Sequence, residues 1–250
     1  MHKLGPGGVA FFSLSGGVLM WECASRFGLL NPVLLPPPSS IAPTLWLIVS
    51  SGSFLEPISQ TLTMLAIGYG IACVLGISLG LAMGSNQCIY GLFEPLVEVI
   101  RPIPKPALIP LLVILLGIGP EMKIFTVALS AFFPILINTI QGVRGTDPVL
   151  LGTARTLGLS RFQTTRKIVF FSALPMILAG MRVSLALGLV LVVLAEMLAA
   201  ETGVGFLILD MQRSFQIRPM YAWIVILALL GMILNPAFEV IEARVLHWRM

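Results

Sequence analysis

SALPMILAGMRVSLALGLVLVVLAEMLA, residues 172–199, decides the fold class. Its charges are Arg182 and Glu196, and the run between them, VSLALGLVLVVLA, carries no polar side chain but one serine. A helix needs about 20 apolar residues, at about 1.5 Å each, to cross about 30 Å of hydrocarbon. This stretch is long enough. Nor could one water-soluble core hide the rest of the chain. Of its 250 residues 57% are hydrophobic and 10% charged, with a mean hydropathy of +1.00. Soluble domains run near 45–50% apolar and about 25% charged. Long mixed runs of Leu, Ile, Val, Ala and Gly favour helices over a barrel, whose strands would alternate in runs of about ten. The chain reads as an all-α integral membrane protein.

Outward from this stretch, further apolar runs fall at 9–24, 58–83, 89–117, 122–141 and 220–242, which predicts six spans in one membrane domain, residues 1–250. The first run, VAFFSLSGGVLMWECA, is short enough to pass for a signal peptide. The single Lys3 and the lack of a small-x-small cleavage site after it favour a retained span. The third is broken by RPIPKP, residues 101–106, whose three prolines cannot continue a regular helix. Residues 89–100 and 107–117 are therefore expected as two half-length helices of one interrupted span. Unwound backbone at that depth must be covered by protein or line a water-filled cavity. In the second span Gly68, Gly70, Gly76, Gly80 and Gly84 recur, and the last three make a small-x-x-x-small face suited to close helix packing. No internal repeat is evident.

The net charge is +4, and its placement matters more than its size. The 143–170 loop holds five basic residues and the C-terminal tail holds Arg244 and Arg249, whereas 25–57 holds only Arg26. Basic loops stay in the cytoplasm, so the expected topology is N-in and C-in. Arg213 and Arg218 in the 200–219 loop run against this and are balanced by Glu201 and Asp210. Positives beside spans point to lipid headgroups rather than nucleic acid as the partner.

The basic loop contains DPVLLGTARTLGLSRFQTTRKI, residues 147–168. Asp147 suits an N-cap, Pro148 the first helical position and Gly158 the residue past the helix end. The helix between them, about ten residues, is too short to stand alone in water. Val149, Leu150, Ala154 and Leu157 give it an apolar stripe, Arg155 and Arg161 give it charge, and Ser160 can cap a second turn leading into the next span. Such an element reads as a docking helix for a cytoplasmic partner, against the plainer reading of a solvated connection.

These residues resemble the cytoplasmic loop of bacterial ABC importer permeases: Glu-Ala-Ala, three residues, Gly, nine residues, Ile-x-Leu-Pro. Gly152, Thr153 and Ala154 stand at the first three positions, Gly158 at the glycine and Ile168 at the isoleucine. The chain departs from the pattern at Gly152, at Thr153 and at Phe170-Phe171. Pro175 resembles a second proline common after this loop. LVEVIRPIPKPALIPLLVILLGIG, AFFPILINTIQGVRGTDP and LAEMLAAETGVGFLI resemble stretches of permeases for taurine, aliphatic sulfonates and nitrate, in one register from about residue 10 to the end.

The resemblance implies a non-enzymatic transport subunit in the bacterial inner membrane. Two copies would pair, each docking its loop on a cytoplasmic P-loop ATPase, with an extracytoplasmic solute-binding protein meeting the outer loops 25–57 and 200–219. No cofactor is expected on this chain. It lacks G-x-x-x-x-G-K-[ST], so ATP and Mg²⁺ would belong to the partner. Coupling would involve Gly152, Thr153, Ala154, Arg155, Leu157, Gly158 and Arg161, with Ala154 and Leu157 filling the ATPase cleft and Gly158 allowing the turn and a close approach. Without the family's acid at 152, docking would lean on apolar contact and on Arg155 and Arg161. The cargo implied is a small anion of sulfonate, taurine, nitrate or bicarbonate type. Riboflavin-like and pyrimidine-type nutrients remain open.

Other charges carry two readings. Arg101 and Lys105, with Glu94 and Glu98 one and two turns before, are either a positive pathway for an anion or a structural ion pair. Arg182 is expected to snorkel toward the cytoplasmic interface. Glu196, about 21 Å from it along a helix, is a candidate for the pathway or a subunit interface. Cys23, Cys73 and Cys88 are scattered and are read as buried thiols, and His2 and His247 form no metal cluster. A secondary transporter would also explain a broken span with intramembrane charge, but not the capped loop helix. A membrane enzyme would want a nucleophile–base set within the spans.

Overall fold

The computed structural model describes residues 6–29 and 31–247. His2, Lys3 and Arg249 lie outside them. Ten helices follow in order: α1 (Pro6–Arg26), α2 (Pro38–Ser50), α3 (Leu55–Ser85), α4 (Gln87–Ile100), α5 (Ile109–Leu116), α6 (Pro120–Arg144), α7 (Pro148–Thr156), α8 (Arg161–Ala199), α9 (Val204–Arg213) and α10 (Ile217–Val245). Among the described residues α3, α6, α8 and α10 are long and apolar enough to cross a membrane, and α4 with the Lys105–Leu116 segment makes a fifth, bent by 84°. The expected sixth span would have to be α1, which is not among them.

Glycine contacts fix how the long helices run. A Cβ on Gly68 would lie 2.7 Å from the Val127 Cβ, on Gly80 2.6 Å from the Thr139 Cβ, and on Gly84 2.6 Å from the Val143 Cβ. The partner advances in step with the glycine, so α3 and α6 are parallel, packed backbone to backbone along the face read from the sequence. Gly70, also in the sequence series, meets nothing and lies off that face. Parallel neighbours require the segment joining them to return across the membrane. The two half-helices on either side of RPIPKP are therefore a single interrupted crossing.

α8 runs antiparallel to both. The Ser184 hydroxyl donates to the Ala131 carbonyl at 3.0 Å, and the Tyr69 hydroxyl to the Met181 carbonyl at 2.9 Å. Gly180 packs against Asn138 and Pro134 of α6. α10 runs back along α8, and here the expectation for Arg182 is corrected. Rather than snorkel, its guanidinium reaches across to Glu239, at 3.3 Å, and to Glu242 on α10. Two carboxylates one helical turn apart hold the charge better than a stretch toward the interface.

This order places α7 at one end of the bundle and α9 at the other. Both expected outer loops contain helices, α2 and α9. Each is shorter than a span, so a search for long apolar runs passes over them. They join α10 in one cluster of Ile41, Ile48, Val204, Ile208, Trp223 and Ile226. The reading of buried thiols also needs correction: Cys23 and Cys88 are exposed and only Cys73 is partly covered, all three free. Cys88 lies in the first turn of α4, beside the exposed Asn86 cap.

Candidate functional site

The α7 end is built almost wholly from local signals. The Asp147 carboxylate accepts the Val149 N–H at 2.8 Å, and Pro148 opens the helix. The far end closes in a Schellman turn: Leu159 N–H donates to the Ala154 carbonyl and Gly158 N–H to the Arg155 carbonyl, both at 3.0 Å, with Gly158 at φ +66°. Two residues on, Ser160 and Gln163 form a reciprocal capping box. Helix α8 starts there, at Arg161, so most of the expected 143–170 loop is helical. A π-helical turn over Thr165–Val169 widens its first part.

Which side of α7 faces the body differs from the expected stripe. Leu151 packs on Val143, Val169, Ala173 and Ile177, and Ala154 is fully buried. Three residues apart, these two share one helix face. Ala154 is thus spent on the chain's own packing and is not free to fill a partner's cleft. Val149 and Leu157 remain 71% and 70% exposed, with Leu150 beside them. Gly152, Thr153, Arg155, Gly158 and Arg161 are exposed as well. No Cβ contact lies within 4 Å of Gly158, so within this chain its glycine serves the turn rather than close packing. The sequence-predicted coupling residues are thus all exposed, Ala154 excepted.

A second group lies at the break of the interrupted span. A cavity of about 390 Å³ is lined by Arg101, Lys105, Ser130, Phe133, Asn138 and Leu191, among others. The Lys105 ammonium donates to the carbonyls of Ile100, Arg101 and Ile103 at 2.9–3.1 Å and lies 4.6 Å from the Phe133 ring centre. It thereby supplies donors at the break, where Pro104 has no N–H to offer the Ile100 carbonyl. Among the described residues the carboxylate paired with Arg101 is that of Glu98, at a long 3.9 Å, while Glu94 accepts from the Tyr90 hydroxyl. The charge facing this cavity with least compensation is therefore the guanidinium of Arg101.

Glu196 sits elsewhere, fully enclosed by its own chain. Its carboxylate accepts from the Thr61 hydroxyl at 2.9 Å and from the Gly205 N–H at 3.0 Å. Thr61 in turn accepts the Val204 N–H at 3.1 Å. Lys123 of α6 is buried as well. The hydrogen bonds tie α3 and α8 to the N-terminus of α9, where helix N–H groups favour a carboxylate. Thr61, Lys123, Gly203 and Gly205 were missed by reading the sequence. Lys123, a lone cation at the head of an apolar run, was the one signal that could have drawn attention.

Comparison with known proteins gives a consistent picture. Residues 72–247 match the family described as binding-protein-dependent transport system inner membrane component. The chain is 30% identical to the putative aliphatic sulfonates transport permease protein SsuC of Bacillus subtilis, over 93% of this chain and 84% of that one. It is 30% identical to the taurine transport system permease protein TauC of Escherichia coli, over 92% and 85%. With the nitrate import permease protein NrtB of Synechocystis it shares 32% over 75% and 68%. Among solved structures, an inward-facing MetNI methionine ABC transporter superposes with a TM-score of 0.68 at 20% identity, covering 81% of this chain and 98% of that one, which shows a common fold.

Proposed function

The chain belongs to the family of binding-protein-dependent transport system inner membrane components, and on that premise we propose that it forms the translocation pathway of an ATP-driven importer for a small anionic nutrient. The observation that carries the reading is α7. It is a doubly capped helix, fixed to the body by Leu151 and Ala154, that leaves Val149, Leu150, Leu157, Arg155 and Arg161 facing outward. Apolar side chains exposed on a short rigid helix serve a partner surface better than they serve water. The partner is a cytoplasmic P-loop ATPase that holds the ATP and Mg²⁺, and a second copy of this chain completes the pathway.

The charge distribution supports the orientation. The α7 end carries Arg144, Arg155, Arg161, Arg166, Lys167 and Arg244, and the α9 end fewer positives. On this reading α7 lies in the cytoplasm and the α2–α9–α10 cluster outside, where the solute-binding protein docks. With α1 as sixth span, both termini are cytoplasmic and the chain sits in the bacterial inner membrane. An anionic cargo of sulfonate, taurine, nitrate or bicarbonate type suits the Arg101 cavity, where a guanidinium offers fixed paired donors to an oxyanion. Closure of the ATPases would press on α7 and move α8, which begins beside it.

The test is affinity purification of the tagged chain from its native membranes, wild type beside Gly158→Asp. A P-loop ATPase retained by wild type and lost from the variant is the expected result. Absence of any ATPase under gentle detergent would overturn the importer reading and favour a secondary transporter.

A further inference from the structure

Beside the docking surface lies a cavity of about 740 Å³, lined by Leu81, Phe162, Thr165, Arg166, Lys167, Phe170 and Phe171. It opens between the end of α3 and the π-helical turn that starts α8. We propose that it is a binding site for an anionic glycerophospholipid of the leaflet on the α7 side.

The lining combines two cations with apolar and aromatic side chains. Arg166 and Lys167 are both exposed on the π-helical turn. Among the described residues no carboxylate lies within 4 Å of either. Acids that could compete are committed: Asp147 caps α7, and Glu239 and Glu242 hold Arg182. The Thr165 hydroxyl donates to the Arg161 carbonyl, so the cations provide the free donors. The apolar part is Phe162, Leu81, and Phe170 and Phe171, the last two edge to face with ring centres 5.5 Å apart. Leu81 belongs to the long apolar α3, inside its spanning length.

That combination selects the occupant. Two exposed cations can meet one phosphate, as basic pockets between spans do for headgroups. The three phenylalanines, with Leu81 on a helix long and apolar enough to cross a membrane, suit an acyl chain better than a cytoplasmic subunit. A bound lipid would brace the first turns of α8, which share one packed cluster with Leu151 of α7. The membrane would in this way help to hold the docking helix in place.

The test uses the full chain in phosphatidylcholine nanodiscs with a trace of photoactivatable phosphatidylglycerol. Labelling is expected on the peptide spanning 162–171, displaced by excess unlabelled phosphatidylglycerol but not by phosphatidylcholine or inorganic phosphate. Arg166→Gln with Lys167→Gln should lower it roughly thirtyfold, about a factor of five for each charge. Arg213→Gln with Arg218→Gln, at the opposite end, should leave it unchanged. Equal displacement by phosphatidylcholine, or displacement by phosphate alone, would overturn the proposal. So would loss of labelling when the ATPase-containing complex replaces the isolated chain, which would show a protein subunit covering this face. Should the double variant misfold, the wild-type competition decides by itself.

Discussion

At the α7 end the helix termini are closed by neighbours in sequence: the Asp147 cap and the Gly158 turn of α7 and the Ser160–Gln163 box that opens α8 each join residues within a few positions of one another. Apolar packing of Leu151 and Ala154 seats α7 on the body. At the α9 end α8 is fastened by a knot whose members come from opposite parts of the chain, Thr61 with Glu196 and Val204. Local caps set the shape of a helix end cheaply and let go at little cost, about 1 kcal/mol each. A buried carboxylate with its donors loses far more when one member is removed, because the rest are left unpaired without water. The difference suits a machine moved from one side. On the proposed function, the end offered to an ATPase can shift, while the α9 end stays whole.

The largest expected effect sharpens that contrast. Gly203 has φ +109°, and a Cβ there would lie 2.2 Å from the Glu196 carboxyl carbon. Gly203→Ala therefore combines overpacking with a strained backbone and should cost about 3–5 kcal/mol, read as a large drop in thermal unfolding in detergent. A loss below about 1 kcal/mol would mean that the knot is loose. Next comes Glu196→Ala, which strands the Thr61 hydroxyl and the Gly205 N–H and opens a cavity, at about 3 kcal/mol. Glu196→Gln, which keeps the shape and can still accept, should cost clearly less. Hydrogen exchange across 204–213 would show whether α9 is the element released.

A smaller effect tests the core between the two ends. The Cβ of Gly80→Ala would lie 2.6 Å from the Thr139 Cβ, whereas Gly70→Ala on the same helix meets nothing within 4 Å. The first should cost about 1–3 kcal/mol by overpacking, and the second should stabilise slightly, since alanine is the better helix former. Equal losses would argue against the parallel α3–α6 seam.

The same contrast explains what the sequence could convey. Asp147, Pro148, Gly158 and Ser160 announce α7 because capping acts over a few residues, and RPIPKP announces the break because proline removes a donor wherever it stands. The glycine face of α3 was legible as a face, but not its partner. That partner, α6, is set by packing across the fold. Glu196 was visible as an odd charge in a span, yet its surroundings depend on Thr61 and Gly205, which carry no mark in the sequence. Ala154 was placed on the outward stripe because Val149, Leu150 and Leu157 flank it. Which side of a short helix faces the body is decided by what lies beneath, here Val169 and Ala173.

The smallest expected effect is the one that could break the comparison. Asp147→Ala removes an acceptor from the first turn of α7 and should cost about 1 kcal/mol. Gly158→Ala, at φ +66°, should cost a similar amount, since a side chain in that region is disfavoured by about 1–2 kcal/mol. Both act on a helix of nine residues whose own stability is low. The loss should therefore appear as faster hydrogen exchange confined to 148–156, with the unfolding of the whole chain almost unmoved. If instead either variant lowers global stability as much as Glu196→Ala, then α7 is bound into the body as firmly as α9. The bundle would then have two rigid ends, and motion at α7 would have to carry the whole of α8 with it rather than begin by loosening a cap.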